Sequence, residues 1–219
     1  MSSPAAAVAR PRLISEKQIM SLLGVVPLGA YVVAHLWTNL YSLGGATAFD
    51  QRVAETRSSP VFIFLEVFGL GLPILLHAWL GLRIIVKARV NLKAYPTLRN
   101  LKYVLQRLSG IGILLFLGAH VLKARILPAI ATPGGHENWQ GMHEALGDPV
   151  TLVVYLLGIL AVAYHLGNGI WGAGLTFGLT VTPQAQARME RVSFACFALL
   201  LAMGYLAIWG FHPFTQAAG

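Results

Sequence analysis

Seven histidines occur in the 219 residues, and four of them, His35, His77, His120 and His165, stand in otherwise apolar runs at intervals of 42, 43 and 45 residues. An imidazole nitrogen ligates metals when neutral, hydrogen-bonds between helices, or relays protons, so four of them in apolar surroundings mark chemistry. Their heights follow from the helical rise of about 1.5 Å per residue and from the reversal of direction between consecutive spans. His35 lies nine residues before Gly44 and His120 eight before Pro128, which puts both roughly 12–14 Å below one membrane boundary. His77 is eighteen residues past Ser59 and His165 seventeen past Asp148, so both lie roughly 26 Å below that boundary. Two histidines at each of two depths, each on its own helix, suit two planar iron porphyrins clamped from both faces by imidazole. With both axial positions filled by protein, such hemes favour electron transfer over small-ligand chemistry. The competing use of the same residues is a heme-free, histidine-dependent proton-coupled transporter. His136, His143 and His212 fall at the outer boundary, where solvated histidine is the ordinary expectation.

The elements that must carry these residues are membrane spans. Hydrophobic residues make up 56% of the chain and charged ones 11%, with mean hydropathy +0.66, which excludes disorder and an ordinary water-soluble domain. Runs of at least about 20 apolar residues predict helices over 19–43, 60–88, 102–127, 149–178 and 190–211. Fold class is therefore all-α integral membrane, a bundle of five transmembrane helices. Residues 1–18 read as a cytoplasmic tail, 19–211 as the diheme domain and 212–219 as an outer tail, and the first apolar run reads as a retained anchor because no early cleavage site follows it. Loops are expected at 44–59, 89–101 and 128–148, with a turn at 179–189.

Net charge is +8, and the sixteen basic residues sort unequally between the two sides. Twelve, including Arg83, Lys87, Arg89, Lys93, Arg99, Lys102 and Arg107, fall on the amino-terminal side, while Arg52, Arg57, Lys123 and Arg125 fall on the other. That asymmetry predicts a cytoplasmic amino terminus and a cytoplasmic 89–101 loop, and it accounts for the charge without nucleic-acid binding. A single cysteine, Cys196, leaves no disulfide or CxxC chemistry within the chain.

Several segments carry a family resemblance: SLLGVVPLGAYVVAHL around His35, LEVF then LPILLHAWLGL around His77, RNLKYVLQRLSGI before His120, and YHLGNGIW with TFGLTVTP around His165. Over roughly residues 19–190 the chain resembles the diheme cytochrome b membrane anchors of succinate:menaquinone oxidoreductases, the succinate dehydrogenase and fumarate reductase family. The resemblance implies two hemes b, flavoprotein and iron–sulfur partner subunits on the cytoplasmic face, and menaquinone reacting near the outer heme in a bacterial cytoplasmic membrane. It assigns His35 with His120 to the distal heme and His77 with His165 to the proximal one, the pairs that depth counting also gives. It leaves open whether the chain serves succinate oxidation or, in a quinol:fumarate reductase, the reverse. With no flavin or dicarboxylate site, the chain is not expected to oxidise succinate by itself.

Three further residues are candidates. Glu66, about 10 Å below the outer boundary, is the carboxylate at membrane depth and suits proton transfer to a quinone, although a hydrogen bond between helices is an equal expectation for it. Arg107 and Gln106, inward on the third helix, suit the propionates of the inner heme, with membrane-surface anchoring as the alternative for Arg107.

Overall fold

A computed structural model describes residues 14–131, 135–136 and 138–212; most of the two expected tails, with Arg10 and Arg12, lie outside the described residues. Those described form helices and connecting turns, with no strand among them. Helix α1 opens with a capping box, in which the Ser15 hydroxyl accepts the Gln18 backbone N–H at 3.2 Å and the Gln18 side chain accepts that of Ser15 at 2.9 Å. It runs through Glu16–Leu23, widens into a π turn at Gly24–Leu28, resumes over Gly29–Asn39 and tightens to a 3-10 turn at Leu40–Gly44. The chain then breaks at Gly45, whose φ of 80° lies in the region that glycine tolerates, and enters α2, Gly45–Arg57. There follow α3, Phe62–Val86; α4, Leu98–Ala131; α5, Trp139–Gly147; α6, Pro149–Thr176; and α7, Pro183–Phe211.

Five of these, α1, α3, α4, α6 and α7, are long and apolar enough to cross a membrane, and the chain is a multi-pass membrane protein. Side-chain caps set the starts of α1, α4, α6 and α7, while α3 starts after Val61 without one. Thr97 accepts from the Asn100 N–H at 3.3 Å, Asp148 from Thr151 at 2.8 Å and Thr182 from Ala185 at 3.1 Å, with Pro149 and Pro183 at the first helical position. Because Thr182 and Pro183 start the last helix, α7 begins seven residues before the expected 190, and the turn is correspondingly shorter. The stretches expected as loops at 44–59 and 128–148 hold α2 and α5.

Proline explains where the spans deform. It lacks an N–H, and its ring clashes with the carbonyl four residues back. Counted back from Pro73 and Pro128, that carbonyl belongs to Gly69 and Ala124, which lie inside the π turns Leu65–Gly71 and Leu122–Ile126; Pro27 sits within the π turn of α1.

Helix α6 packs against α1, α4, α5 and α7, while α3 packs along α1. In lipid no hydrophobic force drives such association, and small residues with polar stitches take its place. Ser193 Oγ donates to the Gly167 carbonyl at 2.7 Å and Ser42 Oγ to that of Ala207 at 2.9 Å, joining α7 to α6 and to α1. At the end of the bundle expected to face outward, α2 and α5 close a buried cluster of Phe49, Trp139, Met142, Leu146, Tyr155, Ile208 and Phe211. Large apolar side chains elsewhere, among them Phe68, Leu75 and Leu115, are exposed and face the lipid.

Candidate functional site: two histidine pairs between helices

The bundle brings the four histidines together two by two. On one level, the outer in the expected topology, His35 of α1 and His120 of α4 have ring centroids 5.8 Å apart with planes at 78°; on the other, the expected inner level, His77 of α3 and His165 of α6 are 6.1 Å apart at 84°. Two imidazoles on opposite faces of one metal, each with a nitrogen–metal bond of about 2 Å, have centroids about 6 Å apart once the ring radii are added. Both pairs have that separation. All four rings are half-buried.

Second partners set which nitrogen each ring presents. The His77 Nδ1–H donates to the Met20 carbonyl at 2.9 Å, and His165 Nδ1 meets the Gln106 carbonyl and the Ser109 hydroxyl, each at 3.1 Å. His120 Nδ1 meets the Tyr155 hydroxyl at 3.2 Å. Engaging Nδ1 fixes the ring and leaves Nε2 as the nitrogen to offer a metal, the division of labour that metal-ligating histidines adopt. His35 differs: its Nε2 lies 3.3 Å from Asn39 Nδ2, which also donates to the His35 carbonyl at 2.8 Å. Aromatic rings stack on the outer pair, Tyr31 on His35 at 5.5 Å and Phe116 on His120 at 5.6 Å.

Room beside the inner pair comes from two glycines. A Cβ added at Gly24 of α1 would lie 2.7 Å from His77 Cε1, and one at Gly110 of α4 would lie 3.1 Å from His165 Cε1. One turn inward of Gly110 on the same face is Arg107. Its guanidinium lies over the Tyr103 ring at 3.3 Å and Nη1 donates to the Tyr103 carbonyl at 2.7 Å, yet Nε is buried with no hydrogen-bond partner. A buried donor without a partner suits an anionic oxygen. The donor set therefore fits a bis-histidine heme with a propionate at Arg107.

Gln106 is placed differently from the expectation of a propionate donor. Its amide spans α4 to α6, donating from Nε2 to the His165 carbonyl at 3.1 Å and accepting at Oε1 from Asn168 Nδ2 at 2.7 Å, so it positions His165. Glu66 is hydrogen-bonded between helices: Arg125 Nε and Nη2 of α4 donate to its Oε1 and Oε2 at 2.8 and 3.1 Å. Neighbouring Lys123 donates to Thr151 Oγ1 at 3.0 Å. His143 stacks on Trp139 and bonds the Phe211 carbonyl at 2.8 Å, a packing role at the outer cap.

Sequence reasoning missed Met20, Ser109 and Tyr155 as ring partners and Asn168 as the partner of Gln106, and counted Arg125 only as a topology charge. Asn168 had a signal, standing one helical turn from His165 on the same face. A backbone carbonyl such as that of Met20 has none, since any residue type supplies one.

Residues 88–203 match the family described as succinate dehydrogenase/fumarate reductase transmembrane subunit. The chain is also 36% identical over 195 residues to the succinate dehydrogenase cytochrome b558 subunit of Bacillus subtilis (strain 168), an alignment covering 89% of this chain and 95% of that protein. This multi-pass chain thus belongs to the family of succinate dehydrogenase/fumarate reductase transmembrane subunits.

Proposed function

We propose that the chain anchors a succinate dehydrogenase in the bacterial cytoplasmic membrane and binds two hemes b, one at His35 and His120 and one at His77 and His165, between a cytoplasmic iron–sulfur subunit and a menaquinone site at the outer level. The observation that carries this reading is the pair of facing imidazoles, 5.8 and 6.1 Å between centroids, repeated at two depths on four helices. Heme held by these histidines would supply one-electron transfer. The protein's own residues do the rest. The Met20 and Gln106 carbonyls and the Tyr155 hydroxyl hold three of the rings by Nδ1, Gly24 and Gly110 keep the ring edges clear, and Arg107 Nε offers a charged donor to a propionate. Glu66 handles protons at the outer level.

Orientation rests on the twelve-to-four distribution of Lys and Arg, which puts the amino terminus and the 89–101 connection in the cytoplasm, where the basic surface meets the iron–sulfur and flavoprotein subunits. Donors bound there leave the outer level as the place where quinone discharges the pair of levels. Succinate oxidation is favoured over fumarate reduction by the B. subtilis relative, named as a succinate dehydrogenase subunit. The test uses the purified three-subunit complex: succinate should reduce both heme components, and a menaquinone analogue should reoxidise them. A quinone-site inhibitor should perturb the spectrum of the component lost on substituting His120. Perturbation confined to the component held by His77 and His165 would move quinone to the cytoplasmic side and refute the outer site.

A further inference from the structure

The reading above uses Glu66 but gives no task to Arg125, which ends in the same place. Glu66 lies in the π turn Leu65–Gly71 of α3 and Arg125 in the π turn Leu122–Ile126 of α4. A π turn inserts a residue and rotates the side chains near it relative to a regular helix, and such turns gather at functional positions. Here the two deformations face one another, and the guanidinium fork meets both carboxylate oxygens, with the Glu66 side chain 25% and that of Arg125 37% exposed. Helices α3 and α4 otherwise touch sparsely, so this pair is a main polar tie between them. It also flanks the outer histidines. Arg125 stands five residues beyond His120, about 7.5 Å along α4, and Glu66 is within electrostatic reach of Tyr31, which stacks on His35. Arg57 of α2 is a further charge acting on Glu66.

We propose that Arg125 is a positioning residue for quinone turnover: it holds Glu66 as the charged half of a fixed, two-bonded pair bridging α3 and α4, so that the carboxylate works from one orientation beside the outer level. The inference rests on the outer quinone site proposed above. Lysine at 125 would keep the charge but not the planar fork. Glutamine at 125 would leave a partly buried carboxylate without its counter-charge, a larger disturbance than removing both partners together.

A double-mutant cycle in the purified three-subunit complex tests it, with heme content, kcat and KM for a menaquinone analogue, and the infrared carboxylate band assigned to Glu66 by its loss in Glu66→Gln. Arg125→Gln and Glu66→Gln should each lower kcat about tenfold with KM within about twofold, and the double variant should be no slower than the worse single variant, the non-additivity of two groups acting as one. The infrared band should move in Arg125→Gln and move less in Arg125→Lys, a readout that does not depend on turnover. Should Arg125→Gln fail to retain heme, Arg125→Lys supplies both kinetics and band. Multiplicative losses, an unmoved band, or a raised KM with unchanged kcat would each overturn the positioning role while leaving the outer site standing. A Glu66→Gln variant with normal quinone turnover would instead remove Glu66 from the proposed function, and this inference with it.

Discussion

Replacing Gly24 by alanine isolates the geometry of the inner pair, because nothing else at that position opposes the change. Gly24 has helical angles, φ −68° and ψ −41°, and alanine is the better helix former by about 1 kcal/mol, so backbone strain is not at issue. The new methyl would stand 2.7 Å from His77 Cε1 and 3.1 Å from its Nδ1, and ordinary contact begins at 3.4 Å, so the ring edge must retreat by about 0.7 Å. His77 is not free to do so, since its Nδ1–H is bonded at 2.9 Å to Met20, one turn before Gly24 on the same helix. A retreat of that size stretches the bond to about 3.6 Å, which is no longer a hydrogen bond. The loss is about 1 kcal/mol for the bond itself, and losing a ring partner of this kind lowers metal affinity about 10- to 100-fold. Gly110 is the control. There the methyl would lie 3.1 Å from His165 Cε1, a correction of about 0.3 Å, less than half of that at Gly24. Heme content by pyridine hemochrome, with an optical redox titration, should show Gly24→Ala depleting or shifting only the component held by His77 and His165, and Gly110→Ala disturbing the same component to a smaller degree. Equal effects of the two variants, or a normal inner component in Gly24→Ala, would refute the reasoning.

Two further outcomes follow from the rest of the chain. Cysteines placed at Asn91 and at Gly135 in a Cys196→Ala background should differ in intact cells, with an impermeant thiol reagent labelling position 135 alone, and the reverse pattern would invert the topology. Asp148 caps α6, and the Thr151 N–H it accepts at 2.8 Å holds its carboxyl below the ordinary value of 3.8. A carboxyl lowered in the folded state adds stability above its unfolded pKa and loses it as pH falls through the folded one, so thermal unfolding in detergent should separate wild type from Asp148→Asn at neutral pH and not well below pH 3.8. A gap that persists in acid would contradict the cap.

The spans and the pairing of histidines were legible because both depend on counting: a span needs a minimum length of apolar chain, and equal rise per residue turns position into depth. His35 and His120 are neighbours in the bundle, as are His77 and His165. What stayed hidden depends on azimuth, which counting does not give. Two facing π turns alter the angular register within α3 and α4, so that Arg125 meets Glu66, a relation that a regular helical wheel misplaces; Gln106 and His165 lie in regular helix, and their meeting depends on how α4 and α6 are rotated against each other. The caps at Thr97 and Thr182 were readable from Thr-Leu and Thr-Pro steps, yet hydropathy alone sets the boundary at the apolar edge and starts α4 and α7 late. The outer helices α2 and α5 were hidden for a related reason, since their polar composition reads as loop until Phe49, Trp139 and Leu146 are seen to bury against α6 and α7.

The central claim is that four histidines form two separate metal-binding pairs, His35 with His120 and His77 with His165. Heme content per chain, measured by pyridine hemochrome on purified wild type and on the four single histidine-to-alanine variants, with the redox-resolved optical spectrum of each, tests it most directly. Two hemes per wild-type chain are predicted, with His35→Ala and His120→Ala erasing the same spectral component and His77→Ala and His165→Ala the other. A wild-type ratio of one or none, or a variant that erases the component assigned to the opposite pair, would contradict the account.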